Sequence, residues 1–199
     1  MKKFIRSYVC ALVIVLTLSA ISFAQTAPGK NFPNVKIKNF GQMDERFYRG
    51  AQPKESDYQS LKDLGITTVI DLRDDPTSYE KAAVEALGMK YVHIPMIAKK
   101  YPKPESVEAF LKVVDDPSTG AFYVHCAGGR HRTGVMGAVY RFTKYGWNFA
   151  QVYKEMKNYD FYTRFGHGDF KDFVVDYAEK MKNNQAALGT TQITARGGN

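Results

Sequence analysis

Cysteine is scarce in this chain of 199 residues, in which Cys10 and Cys126 are the only two. Cys10 lies in an apolar N-terminal segment, and if that segment is cleaved off, Cys126 has no partner for an intramolecular disulfide. Metal-ligand spacing is also lacking, because His93 and His167 have no Cys, His or Asp partners at the intervals of a metal site. We therefore predict neither a bound metal nor any other cofactor.

Charged residues are absent between Arg6 and Lys30, and this interval contains a long apolar run from Tyr8 to Leu18. The basic start, the apolar core and the small-x-small sequence at 22–24 are typical of a secretory signal peptide. An uncleaved membrane anchor is the alternative, but the run is shorter than the ~20 residues that span a bilayer. We predict a signal peptide at 1–24, a periplasmic or secreted location and no membrane attachment after cleavage.

The net charge of +8 is moderately basic, and it falls to +5 when residues 1–24, with three basic and no acidic side chains, are removed. Nucleic-acid binding is one interpretation, but lysines scattered over solvated helix faces are a commoner cause. Aromatic residues from Tyr153 to Tyr177 recur every three to four positions, which indicates helix faces packed on a sheet rather than surfaces that stack on bases. We predict a monomer with an anionic substrate and no nucleic-acid partner.

Strand-like and helix-like segments alternate along the chain, which predicts an α/β fold with a central, mostly parallel sheet of four to five strands flanked by helices. Five segments have strand character: Val35–Phe40, Glu45–Arg49, Thr67–Leu72, Lys90–Ile94 and Ala121–Val124. Six have helical character: Lys54–Leu64, Ser78–Leu87, Pro104–Val114, Thr133–Tyr145, Asn148–Tyr159 and Asp169–Lys182. We therefore place a leader at 25–45, one domain at 46–182 and a polar, flexible tail at 183–199.

Chemically active residue types concentrate in the segment from Val124 to Gly134, which reads Val-His-Cys-Ala-Gly-Gly-Arg-His-Arg-Thr-Gly. An apolar strand, a glycine-containing loop and the start of a helix follow one another. Backbone N–H groups and a helix N-terminus can then surround one anion. Cys126 lies at the floor of this cradle, where nearby cations and the helix start lower a thiol pKa.

Three other side chains of this segment have distinct predicted roles. Arg132 supplies a planar fork of donors for two phosphate oxygens, and Thr133 supplies a hydroxyl for the thiolate. His125, in the strand, is expected to face inward and to order the loop from behind. Because a lone thiol outside the cytoplasm is prone to oxidation, the presence of Cys126 favours a nucleophilic role.

The pattern His-Cys-x-x-Gly-x-x-Arg-Thr-Gly resembles the signature of the cysteine-dependent protein tyrosine and dual-specificity phosphatases. Upstream, Phe47–Pro53 and Leu61–Arg73 are similar to bacterial and to atypical fungal and plant dual-specificity phosphatases. The resemblance implies a protein tyrosine phosphatase-like fold. It also implies hydrolysis of phosphate monoesters, of phosphotyrosine or dual-specificity type, through a phosphocysteine on Cys126 with Arg132 binding the phosphoryl group. The remaining phosphate-binding loop would comprise His125, Ala127, Gly128, Gly129, Arg130 and His131.

The resemblance also implies a proton donor, because in the relatives an aspartate protonates the leaving oxygen and later activates water. That aspartate lies on the loop after the strand that precedes the signature strand. Here the corresponding loop, Pro95–Pro104, contains no acidic residue. Glu105, Asp74 and Asp75 are the candidates, although a helix-terminal acid and turn-forming aspartates are equally ordinary features. A substrate with an acidic leaving group, or a slow enzyme, would need no donor.

Basic side chains near the predicted site bear on its substrate. Five are expected there: Lys99, Lys100, Lys103, Arg130 and His131. Together they predict a cationic rim suited to several phosphate groups. Residues 129–134 are also similar to the Gly-Lys-His-Arg-Thr-Gly of atypical phosphatases that act on inositol pyrophosphates. The predicted partner is therefore a phosphorylated protein or a polyphosphorylated small molecule.

Two other classes of function stay open at this point. A catalytically weak module that binds phosphate or phosphoproteins would keep the cradle and lack the acid, although intact Cys126, Arg132 and Thr133 oppose it. Sulfur transfer on a rhodanese-like loop is the other class, and the Thr133-Gly134 ending argues against it.

Overall fold

The computed structural model describes residues 32–196, with side chains described as far as residue 187. Within these residues, five strands form one sheet: β1 (Gly41–Gln42), β2 (Phe47–Ala51), β3 (Ile66–Arg73), β4 (Lys90–Met96) and β5 (Ala121–Cys126). The α-helices are α1 (Tyr58–Asp63), α2 (Glu80–Ala86), α3 (Pro104–Asp115), α4 (Arg132–Tyr145), α5 (Phe149–Asn158) and α6 (Gly168–Arg196). The predicted signal peptide and Cys10 lie outside the described residues.

The sheet has the strand order β1-β2-β5-β3-β4, and β1 alone runs antiparallel to its neighbour. Parallel strands place their carboxyl ends at one edge, so the loops that follow β2, β3, β4 and β5 start close together. The register pairs Cys126 with Ala51 and His125 with Asp71. The predicted α/β architecture with a mostly parallel sheet of four to five strands is confirmed.

Helices cover both faces of the sheet because its strands carry apolar side chains on each side. Phe122 and Val124 of β5 belong to a core shared with α3, α4, α5 and α6. Tyr123, between them, belongs to a second core shared with α1 and α2. α4 is the central helix, and every residue from Arg132 to Phe142 is buried. This burial fixes the helix that follows the signature loop and, with it, the direction in which the loop must run.

The aromatic residues near the C-terminus pack as the periodicity predicted. Phe161, Phe170 and Phe173 are buried in the core, and Tyr153 packs against it. Phe165 differs, because it lies in the turn between α5 and α6 with a φ of 58° and is 75% exposed.

The predicted strand Val35–Phe40 is wrong, because this segment is irregular and turns at Asn39, whose φ is 56°. Its apolar residues pack against the core under α1 and α2, with Ile37 buried. An extended segment that lies on a core shows the same alternation as a strand, so the pattern could not distinguish the two. The described part of the leader placed at 25–45 is thus packed on the domain. The two-residue strand β1 follows this segment, and the strand predicted from Glu45 begins at Phe47 as β2.

The last helix is longer than the sequence predicted. α6 runs from Gly168 to Arg196, whereas the apolar periodicity indicated an end near Lys182 and a loose tail at 183–199. Residues 185–187 are a glutamine and two alanines, which favour a helix without adding apolar periodicity. Local propensity at 185–187 therefore favours helix beyond the point where the amphipathic pattern stops.

The helix before it begins as predicted. Asn148 accepts the Gln151 N–H at 3.0 Å, and the Gln151 side chain accepts the Asn148 N–H at 3.0 Å, which closes a capping box at the start of α5. No helix within residues 32–196 combines the length and apolar character needed to cross a bilayer.

Candidate active site

Three loops meet at the carboxyl edge of the sheet, because the strands that they follow run parallel to one another. They follow β3, β4 and β5, and the Arg132 side chain joins all three. Its Nη1 donates to Asp74 Oδ1 at 2.5 Å and to the Met96 carbonyl at 3.0 Å. The Ala98 N–H donates to Asp74 Oδ2 at 3.2 Å. These bonds fix the guanidinium beside the loop that follows Cys126.

The signature loop, residues 126–132, is held from outside by two side chains that share one acceptor. Arg49 Nη2 donates to the Gly129 carbonyl at 2.6 Å, and Asn39 Nδ2 donates to the same oxygen at 3.0 Å. Arg49 is 1% exposed and its guanidinium lies 3.9 Å from the centre of the Tyr159 ring. In a trans peptide the carbonyl and the N–H point in opposite directions. Because the Gly129 carbonyl points toward Arg49 and Asn39, the Arg130 N–H of the same peptide points away from them.

Cys126 ends β5 at the floor of this loop and is 4% exposed. Burial raises the pKa of its thiol, but the Thr133 hydroxyl and N–H, the Arg132 guanidinium and the Gly128 N–H together lower that pKa below the usual value. The Thr133 N–H is available because the first N–H groups of α4 have no acceptor within the helix. The site therefore favours the thiolate through fixed donors.

The Arg132 guanidinium keeps donors for a ligand. Asp74 and the Met96 carbonyl engage Nη1, whereas Nε and Nη2 form no hydrogen bond to any residue in the described part of the chain. Two parallel N–H groups match two oxygens of a phosphoryl group. The geometry agrees with the phosphate-binding role predicted for Arg132.

His125 lies behind the loop, as predicted, in a cluster with two carboxyl groups. Its Nε2 lies 2.7 Å from Glu80 Oε1 and 3.9 Å from Asp71 Oδ1, and all three side chains have zero exposure. Burial raises the pKa of Asp71. Burial also opposes ionisation of Glu80, but its contact with His125 outweighs this and lowers the Glu80 pKa. The cluster ties β3, β5 and α2 together beneath the loop.

This buried cluster is also where the described residues come closest to a metal site, because one ligand atom from each member lies within 4.8 Å of the others. The carboxyl oxygens of this cluster have protein partners. The Tyr91 hydroxyl donates to Asp71 at 3.0 Å, and Gln52 Nε2 donates to Glu80 at 3.0 Å. His125 Nε2, at 2.7 Å from Glu80 Oε1, is a further protein partner of the cluster's carboxyl groups. No local pattern predicts this cluster, because its members lie on the separate elements β3, α2 and β5.

A pocket of about 220 Å³ opens above the Cys126 sulfur. The signature loop contributes Cys126, Ala127, Gly128, Arg130, His131 and Arg132. The loop after β4 contributes Ala98 and Lys99, and the region around the start of α6 contributes Tyr162, His167 and Phe170. Of the predicted cationic rim, Lys99 and Arg130 line the pocket, whereas Lys100 and Lys103 do not.

The prediction that His131 adds positive charge to the rim is wrong. Burial and the neighbouring His167 lower the pKa of His131 to about 4, and the cations Arg130 and Arg132 act in the same direction. The His131 ring stacks on the His167 ring, and its Nε2 lies 3.1 Å from the Tyr162 carbonyl. Near neutral pH the imidazole is therefore an uncharged wall of the pocket.

The three predicted acid candidates stand outside the pocket lining. Burial raises the pKa of Asp74, but hydrogen bonds from the Ala98 N–H and Arg132 outweigh it and lower that pKa. Asp75 pairs with Arg73 at 2.9 Å, which lowers its pKa as well. Glu105 is exposed in the first turn of α3. Carboxyl groups with lowered pKa values are poor proton donors near neutral pH.

Sequence reasoning missed the side chains that support the loop from outside. Arg49 carried a signal, since an arginine within a fully buried strand must find acceptors in the interior. Asn39 carried none, because it lies in the segment interpreted as a strand. Glu80 lies in the first turn of α2, where an acidic residue is an ordinary feature and gives no signal of a buried contact.

Gly129 marks where the loop passes closest to β2. Its φ is 64°, and a Cβ at this position would lie 2.3 Å from the Gly50 carbonyl carbon. The backbone conformation and the close approach both require glycine. Gly128 is different, because a Cβ there would meet only the Arg130 side chain at 3.8 Å.

We expect Gly129→Ala to weaken binding of tungstate, a phosphate analogue, by at least about tenfold, since the left-handed backbone alone costs an alanine ~1–2 kcal/mol. Isothermal titration calorimetry measures the affinity, and thermal unfolding shows whether the fold persists. Gly128→Ala is the matched control and should bind as the unmodified chain does. Equal tungstate affinities in the two variants would contradict the requirement for glycine at position 129.

Comparison with known proteins finds relatives of this chain among the phosphatases. A family model described as "DSP-PTPase phosphatase fused to NAD+ Kinase" matches residues 24–175. The probable tyrosine-protein phosphatase DG1060 of Dictyostelium discoideum is 29% identical over 127 residues, which are 61% of this chain and 75% of that protein. The inositol diphosphatase DSP3 of Arabidopsis thaliana is 27% identical over 122 residues, 59% of this chain and 60% of that protein.

The dual specificity protein phosphatase TpbA of Pseudomonas aeruginosa is similar in sequence and in structure. It is 27% identical over 135 residues, 67% of this chain and 57% of TpbA. Its crystal structure superposes with a TM-score of 0.63 at 22% identity, over 75% of this chain and 91% of the crystallised one, which supports the fold. Since the family model covers most of the chain, the protein belongs to the dual-specificity and protein tyrosine phosphatase family and is an enzyme of that family.

Proposed function

We propose that this enzyme hydrolyses phosphate monoesters through a phosphocysteine intermediate on Cys126. The observation that carries the proposal is the setting of that sulfur, which lies at the floor of an open pocket among donors that lower its pKa. A buried structural cysteine would have a raised pKa and no approach for a ligand. Here Arg132, with two guanidinium nitrogens not engaged by the described residues, lines the same pocket.

In the first step the Cys126 thiolate attacks phosphorus, a sulfur–phosphorus bond forms, and the bond from phosphorus to the ester oxygen breaks. Arg132 and the loop N–H groups bind the three spectator oxygens, on which negative charge is spread. A basic leaving oxygen takes up a proton as it departs. Because the donors are already in place, little reorganisation accompanies the reaction.

In the second step water attacks phosphorus, the sulfur–phosphorus bond breaks, and Cys126 leaves as the thiolate. The Thr133 hydroxyl and N–H, which lower the thiol pKa in the free enzyme, stabilise the same thiolate as a leaving group. A base takes the water proton, and inorganic phosphate departs. The two steps return the enzyme to its starting state.

We expect Cys126→Ser to lower turnover of an aryl phosphate by roughly 10⁴-fold or more, because the serine hydroxyl is not ionised near neutral pH. The variant should still bind tungstate, which shows that the pocket is intact. Acid quenching of the unmodified enzyme with phosphate-labelled substrate should leave the label on Cys126. Hydrolysis that proceeds while Cys126 stays unlabelled contradicts the mechanism, and tight binding without turnover supports the alternative of a phosphate-binding module.

The substrate has two candidate classes. DG1060 and TpbA are named as tyrosine-protein and dual specificity protein phosphatases, which favours a phosphorylated protein. DSP3 is named as an inositol diphosphatase, and the presence of Lys99 and Arg130 in the pocket lining favours a polyphosphorylated small molecule as the second candidate. Two cations beside the phosphoryl site suit a substrate with further phosphate groups.

The double variant Lys99→Ala, Arg130→Ala separates these classes. If the substrate carries several phosphates, the variant should lose at least about tenfold more kcat/KM with inositol hexakisphosphate than with a phosphotyrosine peptide, since each lost charge-assisted bond is worth ~1.5–3 kcal/mol. Lys100→Ala, which alters a lysine outside the pocket, is the control. A loss of equal size on both substrates removes the case for the inositol class.

We also propose that the enzyme acts in the periplasm or outside the cell. The support is the composition of residues 1–24, a basic start and an apolar core before a small-x-small site. Export would leave Cys126 as the single thiol of the mature chain. N-terminal sequencing of the protein recovered from its native host should begin at Gln25, and a chain that keeps residues 1–24 in the cytoplasmic fraction would refute export.

A further inference from the structure

A basic leaving oxygen needs a proton source, and no carboxyl group of the described residues lines the pocket. Asp74 lies next to Arg132, but both of its oxygens accept hydrogen bonds and its pKa is lowered. Among the remaining side-chain types of the lining, imidazole is the one whose ordinary pKa lies closest to neutral pH. Two imidazoles of the lining remain, those of His131 and His167.

These two imidazoles are stacked in parallel, with ring centroids 3.6 Å apart and planes 2° apart. The Tyr162 ring packs edge-on against both, at 4.4 Å from His131 and 5.3 Å from His167. Its carbonyl engages His131 Nε2 at 3.1 Å. His131 is therefore held and uncharged, and it serves as a platform that keeps the His167 ring in one orientation.

His167 keeps one ring nitrogen for a ligand. Its Nδ1 is buried without a hydrogen-bond partner. Its Nε2 is not buried in this way, and it forms no hydrogen bond to any residue within 32–196. Nε2 is therefore the accessible nitrogen of the ring, and the ring lines the pocket together with Cys126. A proton on Nε2 can reach a ligand in that pocket.

We propose that His167 is the acid–base residue of the proposed hydrolysis, on which this inference rests. As the Cys126 sulfur bonds to phosphorus and the bond to the ester oxygen breaks, the His167 imidazolium gives its Nε2 proton to that oxygen. In the second step the neutral imidazole takes a proton from the attacking water while the sulfur–phosphorus bond breaks. The imidazolium and the thiolate are both restored, so protons and charge balance over the cycle.

The charged groups that face His167 determine when it carries the proton. Burial, then Lys99 and Arg132, lower its pKa in the free enzyme, and the stacked His131 is uncharged near neutral pH. The N-terminus of α6, which begins at the next residue, acts in the same direction. A bound phosphate dianion offsets these positive charges and raises the imidazole pKa in the complex. Substrate binding therefore favours protonation of His167, the residue that then gives the proton to the leaving oxygen.

The test compares two substrates that differ in the basicity of the leaving group. Phenyl phosphate releases a phenol with a pKa of about 10 and needs a proton, whereas 2,4-dinitrophenyl phosphate releases an acidic phenol and needs none. We expect His167→Asn to lower kcat/KM for phenyl phosphate by ~10²–10⁴-fold and to change that for the dinitrophenyl ester by less than about threefold. The decline of kcat/KM for phenyl phosphate as pH rises through the lowered pKa of His167 in the free enzyme, where the imidazolium loses its proton, should also vanish.

The ratio of the two kcat/KM values is the decisive quantity, because partial misfolding lowers both equally. His167→Gln is a second variant with the same expected ratio. His93→Asn is the matched control, since His93 is exposed on β4 outside the pocket and should leave the ratio unchanged. An unchanged ratio in both His167 variants overturns the proposal, and so does a selective loss of phenyl phosphate activity in Asp74→Asn.

Cys126→Ser, assayed in parallel, distinguishes this inference from the proposed function. If Cys126→Ser loses turnover of both esters and the His167 variants keep the ratio, the hydrolysis stands and His167 is not the acid. If turnover of both esters survives Cys126→Ser, the phosphocysteine mechanism itself is overturned.

Discussion

A negatively charged sulfur in a buried position is the constraint on which the rest of this structure depends. Burial alone disfavours the thiolate of Cys126, and the charge is stabilised because Thr133, Arg132 and the Gly128 N–H present donors to it. Donors that moved away from the sulfur would return it to the thiol form. The surrounding chain must therefore hold the loop still, and much of the fold can be understood as the means of doing so.

Side chains on two sides of the signature loop hold it in place. Arg49 and Asn39 hold the Gly129 carbonyl from outside, and the cluster of His125, Glu80 and Asp71 supports the end of β5 from behind. Buried charges of this kind add little to stability, because their desolvation cost offsets their attraction. Their placement against the signature loop indicates that they contribute geometry, since each fixes one peptide or one ring next to the sulfur.

The sequence predicted the local parts of this arrangement and missed the distant ones. Strand β5, the loop and α4 follow one another, so periodicity and the signature located Cys126, Arg132 and their surroundings. Asn39 lies ninety positions from the carbonyl that it binds, and no local pattern reports such a pairing. The charge of His131 was predicted incorrectly for the same reason, because only the folded chain buries its ring and brings His167 against it.

The two protonation states that hydrolysis requires are in conflict in the free enzyme. Arg132 favours the thiolate of Cys126 and also disfavours the imidazolium of His167, so one cation helps the nucleophile and hinders the acid. A bound dianion resolves the conflict, because its charge restores the imidazolium while it displaces water around the guanidinium. An enzyme built this way ionises its nucleophile before substrate arrives and protonates its acid only afterwards. A carboxyl group on the loop after β4 would face the same conflict, because nearby cations would lower its pKa and favour the ionised form until a dianion binds.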